Sequence, residues 1–381
     1  MADAVRLFLV AGEPSGDRIG ADLVKRLRVQ QRVNIAGVGG AELEGEGLRS
    51  IFPMSDLSVM GLTDVLMRLP LLLWRIRQTA QAILEQQPDL VILIDSQVFS
   101  EKVAHQLRRQ GYEGRILLYV SPSVWAWKPE RAPALKPLYD EVLAVLPFEP
   151  VVMKKLGGPY TTYVGHPALE QTHFRDAQPE RGPILLLPGS RAGELRRHLP
   201  LMESAAAALG RHPRVTGFVL PTPRHTEQQV VDAVAAWKTP VFVTTASDAK
   251  RKAFSESLVA AAVSGTVTLE LALSGVPMVI TYVGDRGQIS RWRKHKPRFI
   301  GLPNILFGND LVPEYVGSVP QPGPFIADIE QLLDEPAEIE QQRRGFARVR
   351  SGMEKGAPEA PLVDAVERVL ANLPQRLAIG T

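Results

Sequence analysis

Short apolar runs of strand character alternate with helix-period segments along this whole chain, and that alternation points to parallel sheets joined by crossover helices. In the first half the runs are Val5 to Val10, Val33 to Val38, Leu90 to Ile94, Arg115 to Val120 and Glu141 to Leu146. The pattern then breaks. From Glu170 to Pro183 the chain is polar, proline-bearing and aperiodic, as expected of an interdomain linker. A second series follows at Ile184 to Leu187, Thr216 to Leu220, Val241 to Thr245, Leu258 to Val263 and Met278 to Tyr282. At 381 residues the chain is too long for one ordinary core. The reading is therefore two α/β domains, 1–169 and 184–338, a linker over 170–183, and closing helices over 339–381.

Composition excludes several chemistries. With no cysteine, a thiol nucleophile, a disulfide framework and a Cys-ligated metal are all ruled out, which fits a reducing compartment. The amino terminus runs directly into Val5 to Val10, so no signal peptide is expected. No apolar stretch approaches the roughly 20 residues that span a bilayer. A net charge of +3 suits phosphate-bearing substrates or an anionic membrane, and is too small to argue for nucleic acid.

Chemistry-bearing residues cluster where strands end. Tyr119-Val120-Ser121-Pro122-Ser123-Val124-Trp125-Ala126-Trp127 closes an apolar run with two hydroxyls, a proline and two tryptophans. Ligands bind at such strand ends in open α/β sheets; the alternative is a Trp-rich cap over the core. Each half also carries a glycine loop after its first strand. In the first, Gly12 and Gly16 flank Glu13 and Ser15, with Asp17 a candidate cap for a helix starting near it. In the second, Leu187-Pro188-Gly189-Ser190-Arg191 leads to Glu194 and a helix. Loop amides and a helix amino terminus favour a phosphate, and Arg191 adds a fork of donors. Neither loop is a GxGxxG or a Walker P-loop, and a structural turn is the competing reading. Ser264-Gly265-Thr266 follows a buried run, and Glu270 lies a turn further on, where a carboxylate could accept from ribose hydroxyls or simply offset the helix dipole.

The stretch Leu62 to Ile76 has a second apolar surface. Leu62, Val65, Leu69, Leu72 and Ile76 recur at helical spacing and are expected to fill a buried face. Met67, Leu71 and Trp74 fall outside that stripe, with Arg75 and Arg77 beside them, as in a helix lying on a membrane surface. Asp64 and Arg68 keep it from spanning. An interdomain or homodimer contact would leave the same pattern.

Taken together, Ala11 to Asp17, Gly37-Val38-Gly39-Gly40, Leu57 to Gly61, Val120 to Trp127, Leu146-Pro147-Phe148-Glu149, Val164-Gly165-His166-Pro167, Leu187 to Arg191, Ser264 to Glu270 and Leu302-Pro303-Asn304 resemble, in order, the motifs of the lipid A disaccharide synthases. The resemblance spans roughly residues 5 to 310. It implies a GT-B glycosyltransferase: two Rossmann-like domains with parallel sheets facing a central cleft, and carboxy-terminal helices crossing back to the first domain. It also implies a UDP-2,3-diacylglucosamine donor, a 2,3-diacylglucosamine 1-phosphate (lipid X) acceptor, a β-1,6-linked disaccharide product, no metal or cofactor, and a place on the cytoplasmic face of the inner membrane.

By the same resemblance Asp95 is the candidate base, with Glu13 next; capping the following helix is Asp95's alternative role. Ser190, Arg191, Ser264, Gly265, Thr266, Glu270 and Asn304 fall at donor positions, and Ser15, Gly16, Ser121, Ser123 and Trp125 at further substrate-binding positions. His166 is expected to shape the site rather than act as base. Two departures stand out. In Ile94-Asp95-Ser96-Gln97-Val98-Phe99 the family's second carboxylate is Val98, and the segment Gly284 to Phe299 carries an unexpected basic cluster, Arg291 to Lys296. A catalytically impaired UDP-sugar-binding relative, or an enzyme like the UDP-N-acetylglucosamine 2-epimerases, would share the nucleotide half.

Overall fold

A computed structural model describes residues 4–57, 62–295 and 297–374, without the side chains of 62–67, 291 and 295. The chain divides into two compact units, residues 1–167 with 355–381, and residues 168–354. Each is built on a six-stranded parallel sheet.

The first sheet contains β1 (Val5–Ala11), β2 (Val33–Val38), β3 (Leu90–Ile94), β4 (Ile116–Tyr119), β5 (Glu141–Ala144) and β6 (Thr161–Tyr163), in the order β2-β1-β3-β4-β5-β6. The second contains β7 (Gly182–Leu187), β8 (Val215–Pro221), β9 (Phe242–Thr244), β10 (Ala260–Val263), β11 (Met278–Val283) and β12 (Glu314–Gly317), in the order β12-β11-β10-β7-β8-β9. Strands β3, β4, β5 and β10 are buried along their whole length, because crossover helices cover both faces of a parallel sheet. Each sheet reverses its winding once, between β1 and β3 in the first unit and between β7 and β10 in the second. Those two reversals are where an open α/β sheet leaves a crevice at its carboxyl edge.

Strands β6 and β12 are not among the runs read from sequence. They are three and four residues long and sit at sheet edges, too short for a period to register. The segment read as a linker also behaves differently. Residues 170–183 belong to the second unit, where Arg175 is buried and donates from Nη1 to the Ser257 carbonyl at 2.5 Å. Burial, with Arg343 adding repulsion, pulls the Arg175 pKa down to about 9. Helix Pro336–Lys355 holds this segment through Arg343, donating to the Arg175 carbonyl at 2.9 Å, and Arg350, donating to the Thr172 carbonyl at 3.2 Å. The segment lacks periodicity because it is pinned by arginines rather than packed by an apolar stripe.

The chain rejoins the first unit at Lys355, not at 339. Its final helix, Ala365–Ala371, is capped by Asp364, which accepts from the Val366 amide at 2.7 Å. Arg368 then reaches the buried Glu141 of β5 with two bonds of 2.9 Å, and Asn372 adds a third at 2.7 Å. Glu141 is 2% exposed, so this fork neutralises a charge the core could not otherwise hold.

Candidate active site

In the first unit the winding reversal lies between the loop after β1 and the loop after β3. Glu13, in extended conformation, is the N-cap of helix Pro14–Gln30, and Pro14 occupies its first position. The helix therefore starts three residues before Asp17, and Asp17 is not its cap. Asp17 is 3% exposed and accepts from the amides of Gly40 at 2.7 Å, Glu42 at 3.0 Å and Leu43 at 3.2 Å, so it caps the short helix Ala41–Gly45 instead. Glu13 and Ser15 are exposed at this loop, while Gly16 is buried with its Cα against the end of β3: an added Cβ would lie 3.3 Å from the Ile94 carbonyl oxygen.

Gly12 is required by close approach. A Cβ there would lie 2.1 Å from Ser96 Oγ, so only glycine lets the β3 loop close onto the β1 loop. That β3 loop is strained. Asp95 and Ser96 have φ of 53° and 43°, two consecutive left-handed residues, and Val120 at the end of neighbouring β4 has φ of 76°. For a β-branched residue this is an outlier, and each such position costs about 1–3 kcal/mol. Hydrogen bonds hold the geometry: the Asp95 amide donates to the Tyr119 carbonyl at 2.8 Å, and Ser100 Oγ to the Asp95 carbonyl at 2.8 Å. Ser96, not Asp95, takes the N-cap position of helix Gln97–Arg109. Asp95 is thus a half-buried carboxylate on a strained strand end, and Val98, where a second carboxylate was expected, is 70% exposed.

After Val120 the chain turns through the hydroxyl- and tryptophan-rich run. Ser121 is 3% exposed and its buried Oγ has no hydrogen-bond partner among the described residues, while Ser123 is exposed and its carbonyl accepts from the amides of Ala126 and Trp127. Trp125 is half-buried and packs edge-to-face on Phe148, with ring centroids 5.1 Å apart. Its indole N–H donates to Glu149 Oε1 at 3.2 Å. Glu149 is 3% exposed, and burial pushes its carboxyl up to about 7 against the bonds it accepts. In the sequence Glu149 stands out only as the last residue of Leu146-Pro147-Phe148-Glu149, and burial of an acid at a helix start is not legible from residue type.

In the second unit the reversal lies between the loops after β7 and β10. Gly189 takes φ of 104°, and a Cβ there would lie 2.6 Å from Glu194 Oε2. Arg191 is the N-cap of helix Ala192–Leu209, and Glu194, three residues on, reaches back to its amide as in half of a capping box. Glu194 Oε2 accepts from the amides of Ser190 at 3.0 Å and Arg191 at 3.3 Å, and Oε1 faces Arg191 Nη1 at 3.3 Å. The loop is a set of converging donors that already holds one carboxylate. Ser190 and Arg191 are themselves exposed.

Across the reversal, Gly265 is exposed and a Cβ there would meet nothing within 4 Å; it is the N-cap of helix Thr266–Leu273, with Thr266 exposed at the first position. Ser264 Oγ is engaged, donating to the Ile300 carbonyl at 2.7 Å. Glu270 lies one turn on, half-buried and ion-paired with Lys250.

Asn304 departs from its expected role. It is 1% exposed; Nδ2 donates to the Val312 carbonyl and Glu314 Oε1, and Oδ1 accepts from the amides of Leu311 and Val312. All four hydrogen-bonding positions of its carboxamide are used within the protein, so the side chain anchors the loop before β12.

The apolar surface is also displaced from expectation. On helix Leu62–Gln86 the side chain of Met67 lies outside the described residues, as do those of Leu62, Asp64 and Val65. Leu71 is half-buried and Trp74 is 53% exposed. Leu69, expected to be buried, is 42% exposed, and Leu73 is 47% exposed. Leu69 does share a face with Ile76, but among the described residues the core packs along this helix from Ile76 through Ala80 and Ile83. Arg75 covers one side of the Trp74 ring at 4.1 Å and is tied to Asp56 at 2.6 Å. Residues 58–61 of the Leu57 to Gly61 motif, and Lys296 with the side chains of Arg291 and His295 in the basic cluster, lie outside the described residues; Arg293 and Lys294 are exposed.

The family model described as lipid-A-disaccharide synthetase matches residues 7–359. A lipid-A-disaccharide synthase of Rhodopseudomonas palustris is 39% identical over 384 residues, covering 97% of both chains, and one of Ruegeria pomeroyi is 40% identical over 395 residues, covering 97% of this chain and 96% of its own. Among solved structures, Staphylococcus aureus MnaA in its UDP co-structure has a TM-score of 0.60 at 11% identity, covering 92% of this chain and 96% of its own. Acinetobacter baumannii MurG has 0.53 at 13% identity, covering 97% and 99%. The fold is the two-unit α/β architecture of the GT-B glycosyltransferases, and the chain belongs to the lipid-A-disaccharide synthase family.

Proposed function

We propose that the protein is an inverting glycosyltransferase that joins UDP-2,3-diacylglucosamine to 2,3-diacylglucosamine 1-phosphate, forming the β-1,6 disaccharide and releasing UDP. Direct inversion needs a base for the acceptor 6-hydroxyl and a cradle for the departing diphosphate. Asp95 is the base: a half-buried carboxylate held rigidly at the β1/β3 reversal, with Glu13 on the adjoining loop. The amides of Ser190 and Arg191 at a helix amino terminus, with the exposed Arg191 side chain, exchange Glu194 for the diphosphate, and Glu270, one turn into the next helix, serves the ribose. Gly265 and Thr266 leave open space for the nucleotide beside it.

The observation that carries this reading is the placement of both motif sets at the two winding reversals, one per unit. The exposed apolar group Leu69, Leu73 and Trp74 would meet the lipid surface that holds both acylated substrates, on the cytoplasmic side of the inner membrane. Among the described residues no helix is long and apolar enough to cross a membrane. The rival readings have no observation of their own. Similarity to the Neisseria meningitidis UDP-GlcNAc 2-epimerase is one of fold, at 12% identity, and the Val98 departure leaves Asp95 in place.

The test is to incubate the protein with diacylated donor and diacylated acceptor in mixed micelles. Disaccharide and UDP in equal amounts support the proposal. Epimerised donor, or nucleotide binding without turnover at any pH, would select one of the rivals.

A further inference from the structure

The contact between Trp125 and Glu149 has no role in the reaction as derived so far, yet it has the geometry of a clamp. Trp125 follows directly on the strained end of β4 and the orphaned hydroxyl of Ser121. Its ring is fixed from two directions, edge-to-face by Phe148 and through its indole N–H by Glu149 Oε1. Glu149 is in turn fixed by the Leu146 amide, which donates to Oε2 at 3.0 Å. Both carboxylate oxygens are therefore used, one to hold the loop after β5 and the other to hold the tryptophan. A buried acid is an expensive way to position a ring, since a neutral acceptor would avoid the desolvation penalty. We propose that Glu149 is a positioning residue that fixes the Trp125 indole, and with it the Ser121 to Trp125 turn, in the shape that receives the acceptor in the first unit. The assignment of this turn to the acceptor rests on the function proposed above, in which Asp95, whose amide donates to the Tyr119 carbonyl just before the turn, is the base for the acceptor hydroxyl; the clamp itself rests on the geometry.

The clamp is also switchable. The Glu149 carboxyl titrates at about 7, pushed up by burial and held back by the bonds from Leu146, Trp125 and Val145. Tyr163 of β6 is the titratable neighbour that senses its charge, and burial together with Glu149 raises its phenol well above the ordinary range, so it stays neutral. The ionised carboxylate accepts the indole N–H more strongly than the acid does.

The experiment reads the indole N–H of Trp125 directly by ¹⁵N-edited NMR of the full chain, assigning the signal by its loss in Trp125→Phe. The signal should titrate with a midpoint near 7 and stop titrating in Glu149→Gln. Transfer assays should then show KM for the acceptor rising roughly tenfold in Trp125→Phe and in Glu149→Gln, with the double variant no worse than either, as expected of residues that act as a unit. UDP affinity, a property of the second unit, should not move. An indole signal that does not titrate overturns the clamp whatever the enzyme does; equal KM in wild type and Glu149→Gln overturns its role in acceptor recognition. If Glu149→Gln fails to fold, Trp125→Phe alone decides, because without the indole donor the charge of Glu149 no longer reaches the turn, so the pH break in acceptor KM should disappear, and a break that persists unmoved rejects the proposal. If wild type shows no transfer, calorimetric affinity for the acceptor replaces KM in each arm, and the proposed function fails separately.

Discussion

The two winding reversals solve opposite problems with opposite materials. In the first unit the loops are shaped by ordinary residues held in unfavourable backbone conformations, Asp95, Ser96 and Val120, around a buried acid and an unpaired serine hydroxyl. In the second the awkward backbone is given to Gly189, and the exposed donors around it are already matched, Ser190 and Arg191 by Glu194, with Glu270 matched by Lys250. On the proposed assignment, strain and unmet polarity fall on the side that acts on a proton, and relaxed, satisfied donors on the side that holds an anion and lets it go.

If this division is right, variants in the two regions fail in different ways. The largest effect is expected at Asp95. Asp95→Asn keeps size and most hydrogen bonding but removes the base, so turnover should fall by about 10²- to 10⁴-fold with UDP affinity intact.

Arg191→Ala and Glu270→Ala should do the reverse, each weakening UDP binding measured by calorimetry by about 1.5–3 kcal/mol, the worth of hydrogen bonds to charged groups. Unchanged affinity in both would remove the second unit from nucleotide binding and collapse the comparison.

The buried acid sharpens it through pH. Glu149 is normally near 4.5 when exposed and is raised to about 7 in the fold. The folded protein thus binds this proton more tightly than the unfolded chain. Its contribution is fully present below about pH 4.5 and is lost as pH rises to about 7, a change on the order of 3 kcal/mol at most. Denaturant unfolding of wild type and Glu149→Gln across that window should show the difference shifting against wild type as pH rises; parallel curves would mean that the acid is not so deeply desolvated.

Val120→Gly should raise stability by about 1 kcal/mol, relief of strain outweighing the added freedom of the unfolded chain, while lowering turnover. The same substitution at an unstrained strand end would destabilise. Smallest in stability is the triple change of Leu69, Leu73 and Trp74 to Ser, expected within about 0.5 kcal/mol because all three are exposed. It should nevertheless reduce co-sedimentation with anionic vesicles, and unchanged sedimentation would argue against a membrane-facing role.

Much of this was legible in the chain. Strands β1 to β5 and β7 to β11 declare themselves as apolar runs, and the loops after β1, β3, β4, β7 and β10 carry the residues that stand out by type. What could not be read is how polar side chains are used once buried. Asp17 looks like the cap of the helix that contains it and instead caps a helix 24 residues later, with three amides converging on it. Asn304 sits in a matched motif, yet four internal hydrogen bonds consume it. Leu69 fits the helical stripe, but periodicity does not say where along a helix the core ends. In each case the deciding partner is distant in sequence or absent from the pattern.

The most direct measurement determines turnover and UDP affinity side by side for Asp95→Asn and Arg191→Ala. The account predicts a crossed result: Asp95→Asn binds UDP like wild type and turns over at least about a hundredfold more slowly, whereas Arg191→Ala loses UDP affinity. Full activity in Asp95→Asn, or loss of UDP affinity there with none in Arg191→Ala, would contradict the division of labour between the two units.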